Sequence, residues 1–339
     1  MISRMRFFRK TGFFVAIAVI LLILAIAYQQ LGEISDLRQR PSTGKMVDVG
    51  GYELFSSVIG EGTPTVVFES GLARASYDWA FVAPKVSEFA TVVTYDRAGL
   101  GWSDLADTPR DGEQIVKDLH TLLEKLEVKP PYLLVGHSCG GLYVRLFRHF
   151  YPDDVCGMVL IDAAHEDGWD DAGWDEETNI WEPMRIEGWS DATKAFLGLY
   201  RLRSAFGSEL APQEENTMLP SWAREQYQIS YRRPAFHLAY AREHLGLHET
   251  LKQLQSIDPS LGDLPLTVIT GTNAMLEQEH LADLSTNSIH IVHEDRSSFE
   301  ASHFLQWTIP DVIAVEIEKR ASQVINNRLK KAIEDLVQE

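Results

Sequence analysis

Cysteine is nearly absent: two among 339 residues, too few for a disulfide scaffold. Also missing are metal-ligand spacings, a dinucleotide fingerprint and a phosphate-binding loop, so no cofactor is expected. Positive charge is scarce. Lys and Arg number 31 against 49 Asp and Glu, a net charge of −18, although the first forty residues are themselves net basic. An acidic body argues against nucleic acid and anionic lipid surfaces as general partners. No stretch beyond residue 40 has the composition of a disordered segment, and 45% hydrophobic content is ample for a packed core. The length accommodates one large α/β domain with an insertion, or two ordinary domains.

Phe13 to Tyr28 is a run of sixteen residues without a charge, preceded by Arg4, Arg6, Arg9 and Lys10. Residues 1–30 therefore read as a membrane anchor or signal segment. The basic flank is expected to stay in the cytoplasm, which puts the chain after about residue 30 on the far side. Ala25-Ile26-Ala27 has the small-x-small form of a cleavage site, whereas the length of the run favours an uncleaved anchor. A cleaved segment would leave the body secreted or periplasmic. Residues 31–45, with Gly32, Pro41 and Gly44, read as a tether.

Residues Tyr132 to Val135 form a short apolar run that stops on Gly136-His137-Ser138-Cys139-Gly140, the G-x-S-x-G spacing of a nucleophile elbow. A strand must turn into a helix there within a residue or two, leaving the Ser138 hydroxyl exposed on strained backbone. Glycine at 136 and 140 lets strand and helix approach closely. The following helix starts at Cys139, whose backbone N–H is free to bind a developing oxyanion. Cys156, at the entrance to a later strand, is expected to be structural and unpaired.

Around the elbow, strands and helices alternate. Val47–Ile59 reads as a hairpin about Gly50-Gly51, and Thr65–Glu69, Thr91–Tyr95, Met158–Ile161, Leu266–Thr270 and Ser288–Val292 read as strands. Helical spacing links Trp79, Val82, Val86 and Phe89, and a second amphipathic helix carries Ile115, Leu119, Leu122, Leu123 and Leu126. This rhythm predicts an α/β fold, a mostly parallel sheet flanked by helices. Residues 166 to about 255 break it. They hold Trp169, Trp174, Trp181, Trp189 and Trp222 and an acidic stretch, and read as an inserted helical cap whose tryptophans form mostly cap core, with one or two lining a cleft. From Pro310, one long helix or two should cover the sheet, with 326–339 as an extension.

From about residue 46 to 325 the chain resembles the α/β-hydrolase fold family, in its bacterial serine hydrolase and esterase-like members. Val67-Phe68-Glu69-Ser70-Gly71-Leu72 is similar to that family's oxyanion loop. The segment from Tyr95 through Asp96-Arg97-Ala98-Gly99 to Asp104 is similar to the loop after its fourth strand, where Asp96 and Arg97 are expected to be structural. The resemblance implies a serine, an acid and a histidine in that chain order. Ser138 is the nucleophile, and the amides of Leu72 and Cys139 form the oxyanion hole. His303, ten residues past the last strand and ahead of Pro310-Asp311-Val312, takes the place of the base. His293 is its rival, and His137 is structural. The acid is less direct, because the loop Gly271 to Glu277 has no aspartate where most members carry one. Pancreatic-type lipases place theirs at the end of the preceding core strand, which here is Asp162. Glu166, Asp167 and Glu277 stay open.

The implied activity is cleavage of a small-molecule ester, with an apolar acyl or alcohol part fitting the Trp-rich cap and the membrane address. A serine at the elbow argues against dehalogenase and epoxide hydrolase chemistry, which the family runs with an aspartate there. Amide hydrolysis, cofactor-free haloperoxidase chemistry and a catalytically inactive binding module are the alternatives on this fold.

Overall fold

The structure, a computed structural model, describes residues 2–169, 181–210, 217–271, 275–293 and 298–338. Helix α1 (Ile2–Leu37) leads into a hairpin of β1 (Gly44–Asp48) and β2 (Glu53–Ile59). The turn works because Gly50 and Gly51 take φ of 125° and 107°, and the Asp48 carboxylate accepts both of their amides at 2.9 Å. Then follow β3 (Thr65–Glu69), α2 (Ala83–Val86), β4 (Val92–Tyr95), α3 (Gly112–Lys125), β5 (Tyr132–His137), α4 (Gly140–Phe150) and β6 (Val155–Ile161). Four described helices intervene before the next strand: α5 (Trp181–Phe196), α6 (Leu199–Ala205), α7 (Ser221–Tyr231) and α8 (Pro234–Gln255). The chain closes with β7 (Leu266–Thr270), α9 (Met275–Asp283), β8 (Ser288–Val292), α10 (Phe299–His303), α11 (Leu305–Thr308) and α12 (Pro310–Gln338).

Among the described residues one sheet has the order β1-β2-β4-β3-β5-β6-β7-β8, and every pairing from β4 to β8 is parallel. Central strands buried on both faces need no polar alternation, which is why they read as continuous apolar runs. One face is covered by α3 and α4 through Ile115, Leu119, Leu122, Leu142 and Leu146. The other is covered by α2 and by Ile313, Ile317 and Ala321 of α12. That last helix is single; Leu329 and Ile333, beyond its contact with the sheet, are exposed.

Three details differ from expectation. The Trp79–Phe89 segment is a 3-10 turn followed by α2, because Pro84 fits only the first turn of a new helix. The stretch expected as a tether from residue 31 remains helical to Leu37. Its polar side chains have partners on the inserted helices: Asp36 meets Arg201 at 2.7 Å and Arg232 at 3.3 Å, and Glu33 meets Arg233 at 3.3 Å. Third, the two of these tryptophans whose side chains are described, Trp189 and Trp222, are about half exposed (53% and 49%). The interior there is built from Tyr200, Tyr227, Tyr231 and Phe236. Trp174 lies outside the described residues, as do the side chains of Trp169 and Trp181.

Candidate active site

Strand β5 ends on His137, and Ser138 follows with φ of +53°, the left-handed region that a residue with a Cβ occupies only under strain. Cys139 is already helical at φ −58° and ψ −21°. The turn is over-determined. The Ser138 amide donates to the Ile161 carbonyl at 3.2 Å, and its own carbonyl accepts the amides of Gly141 and Ala164, both at 2.9 Å. A Cβ on Gly140 would stand 2.4 Å from the Glu69 carbonyl oxygen, so only glycine allows this approach.

Asp162 extends β6 by one residue, at φ +40°, with its amide on the Ile269 carbonyl at 2.7 Å. One carboxylate oxygen lies 2.6 Å from His303 Nδ1, and the other accepts the Gly271 amide at 3.0 Å. An ionised carboxylate only accepts, so Nδ1 carries a proton, and in the neutral ring the lone pair is then on Nε2. His303 sits on the last residue of α10, a helical turn where a loop was expected. Its carbonyl accepts from His137 Nε2 at 2.9 Å, and His137 Nδ1 faces the Gln306 amide at 3.3 Å. Burial holds the His137 imidazole well below its ordinary range, so it stays neutral and keeps this arrangement. The residue beside the elbow thus fixes the backbone of the residue paired with Asp162.

The other wall is the Ser70–Ala73 loop. A Cβ on Gly71 would lie 3.2 Å from both Ser138 Cβ and His137 Nδ1. The amide of Leu72 faces the Cys139 thiol, which burial pushes up to about 12. Leu72 and Cys139 are therefore brought together. Behind them Arg97, almost wholly buried, donates to the carbonyls of Ser70 (2.8 Å) and Gly71 (2.6 Å). It also pairs with Glu69 at 2.6 Å and, through two nitrogens, with Glu243 of α8 at 2.7 and 2.9 Å. Burial opposes the guanidinium charge, and Glu243 and Glu69 outweigh it. Glu243 further accepts the Ala73 amide at 2.7 Å, while Tyr95 donates to Glu69. Asp96 binds the amides of Ser76 (2.8 Å) and Trp102 (2.9 Å) and shapes its own loop.

The remaining candidates stand apart. Glu166 forms a two-point pair with Arg145 at 2.5 and 2.7 Å; burial would raise its carboxyl, and Arg145 brings it below the ordinary range. Asp167 is exposed and faces His165, and Glu277 sits in the first turn of α9. His293 follows β8 with its amide on the Thr270 carbonyl. Ligand atoms of His165, Asp167 and His280 lie within 4.8 Å of one another, the grouping among the described residues that could hold a metal. Sequence reasoning missed Glu243, Gln306 and the Gly271 amide. Glu243 had a signal: Ala239, Glu243 and Leu247 share one fully buried helix face, where a lone acid demands a cation.

Compared with known proteins, residues 64–309 match the α/β hydrolase fold family. An uncharacterized Bacillus subtilis protein, YqjL, is 40% identical over 100 residues, covering 30% of this chain and 40% of its own. A probable transporter of Hormonema carpetanum, efuK, is 24% identical over 295 residues, 80% of this chain and 42% of its own. The chain spans less than half the length of these curated relatives. Among solved structures, the epoxide hydrolase CorEH superposes with a TM-score of 0.64 at 18% identity, covering 83% of this chain and 99% of that one. A putative acyltransferase from Salmonella enterica gives a TM-score of 0.61 at 18% identity, covering 84% and 96%.

Proposed function

This chain belongs to the α/β-hydrolase fold family, and from that premise we propose that it is a serine hydrolase cleaving an ester through an acyl-enzyme. The observation that carries the reading is the 2.6 Å contact between Asp162 and His303 Nδ1, which leaves Nε2 free to act as a base. In this reading Nε2 takes the Ser138 proton as Oγ attacks the carbonyl carbon. The amides of Leu72 and Cys139 receive the oxyanion. The intermediate collapses, the C–O bond breaks, and His303 returns the proton to the leaving alkoxide. Water, deprotonated by His303, then attacks the acyl carbon and restores Ser138. The serine at position 138, where the family's epoxide-opening members are expected to carry an aspartate, supports ester cleavage over epoxide opening. The apolar run of α1 supports anchoring in a bilayer, with the basic first turns in the cytoplasm and the rest beyond the membrane.

The test is covalent labelling of the full chain in detergent by a fluorophosphonate, beside hydrolysis of an activated ester. Ser138→Ala should abolish labelling. His303→Ala and Asp162→Asn should each lower the hydrolysis rate by about 10²–10⁴-fold with unchanged melting temperature. Full activity in Asp162→Asn would remove Asp162 from the mechanism, and a folded wild-type chain that does not label would make it a binding module.

A further inference from the structure

The uncharged run from Phe13 to Tyr28 is short for a bilayer. At about 1.5 Å per residue, a hydrocarbon core of about 30 Å needs about twenty residues. Counted from Thr11, such a span ends near Gln30. At that height α1 is no longer alone. A Cβ on Gly198, at the start of α6, would lie 3.3 Å from the Tyr28 ring and 3.4 Å from the Ala25 carbonyl. Gln29 is fully buried between the Arg232 carbonyl (3.0 Å) and Arg201 Nε (3.1 Å). The corner between α5 and α6 therefore meets α1 where the lipid has to end.

Helix α6 turns Tyr200 and Arg201 inward, Arg201 binding both Gln29 and Asp36. Its other face carries Leu199 and Leu202, Phe206 follows its last residue, and Phe196 ends α5 across the corner; all four are exposed, Phe206 by 82%. Spacings of three and four residues put Leu199, Leu202 and Phe206 on one stripe, with Arg203 beside it. Such a stripe on a short, otherwise polar helix is the pattern of an element lying in a membrane interface.

We propose that the outer face of α6 rests in the lipid interface of the bilayer that α1 spans, a second contact that fixes the inserted helices against the membrane. The proposal rests on the anchoring reading of α1 and extends it. Its occupant is a zwitterionic phospholipid surface, since an acidic body of this charge is repelled by anionic headgroups.

The full chain, with Cys156→Ser to leave only the buried Cys139, is labelled with an environment-sensitive NBD dye at single cysteines and reconstituted in phosphatidylcholine vesicles. Leu202→Cys and Phe206→Cys report the stripe, Ile20→Cys the span, and Ile289→Cys on β8 the aqueous reference; melting temperatures show that each variant folds. Blue-shifted emission at 202 and 206, quenched at least two-fold by lipids with a nitroxide high on the acyl chain, is the expected result. Water-like emission at 202 and 206 with quenching at 20 overturns the proposal and leaves the anchor standing. Water-like emission at 20 as well removes the anchor, and the proposal with it. A blue shift at 202 and 206 without lipid quenching means that protein, such as a second copy, covers the stripe, which also overturns it.

Discussion

In the sheet, β3, β4, β5 and β7 bury every residue they contain, and neighbours in space are mostly aliphatic. The helices between β6 and β7 share in that apolar core, through Leu247, Leu251 and Leu254 of α8, and add buried charge to it: Glu243 to Arg97, Arg201 and Arg232 to Asp36, Arg233 to Glu33. An apolar surface accepts many partners of similar shape, whereas a buried guanidinium accepts one geometry. The contrast teaches that apolar area stabilises both regions, whereas pairing of buried charges gives the inserted helices one position. The position matters, because the Arg97 that Glu243 grips also holds the carbonyls of Ser70 and Gly71 beside Ser138.

The sharpest way to break the contrast is Arg97→Met, which leaves Glu69 and Glu243 facing each other without a cation. A loss of about 3–5 kcal/mol is expected by urea unfolding. Adding Glu243→Gln to that variant should recover part of it, which a purely apolar packing role would not allow. In the sheet, Leu160→Ala removes area alone and should cost about 2–5 kcal/mol, with no rescue by any charge change.

The smallest effect concerns protons. Burial lowers the pKa of His237, packed between Tyr200 and Tyr231, below the ordinary value of about 6.5. Below about 6.5 the unfolded chain gains a proton that the folded chain refuses, so stability falls on acidification by up to about 1.4 kcal/mol per pH unit. His237→Gln should flatten that decline between pH 7.5 and 5.5 in urea titrations. An unchanged slope would mean that His237 takes up its proton in the folded state.

Legibility in the sequence follows the same division. The strands near the elbow, the G-x-S-x-G turn and the neighbouring helices α3 and α4 rest on local spacing, and are readable from it. Ser138 was readable for the same reason. His303 and Asp162 required a family's loop positions as a guide, because the two residues are 141 apart in the chain and nothing local links them. Asp162 and Glu166 look alike in the local sequence; in the fold Glu166 pairs with Arg145 and Asp162 with His303. The contacts of α1 with the inserted helices, 165 to 203 residues apart, leave no periodic trace, which is why the helical stretch to Leu37 reads locally as a tether.

Gly271 donates one amide to Asp162 and presses so closely on the Ser302 carbonyl that no side chain fits there. In the proposed reading the carboxylate comes from the end of β6, so the segment beyond this glycine is asked for no acid of its own, and the demand on it narrows to one small residue at 271.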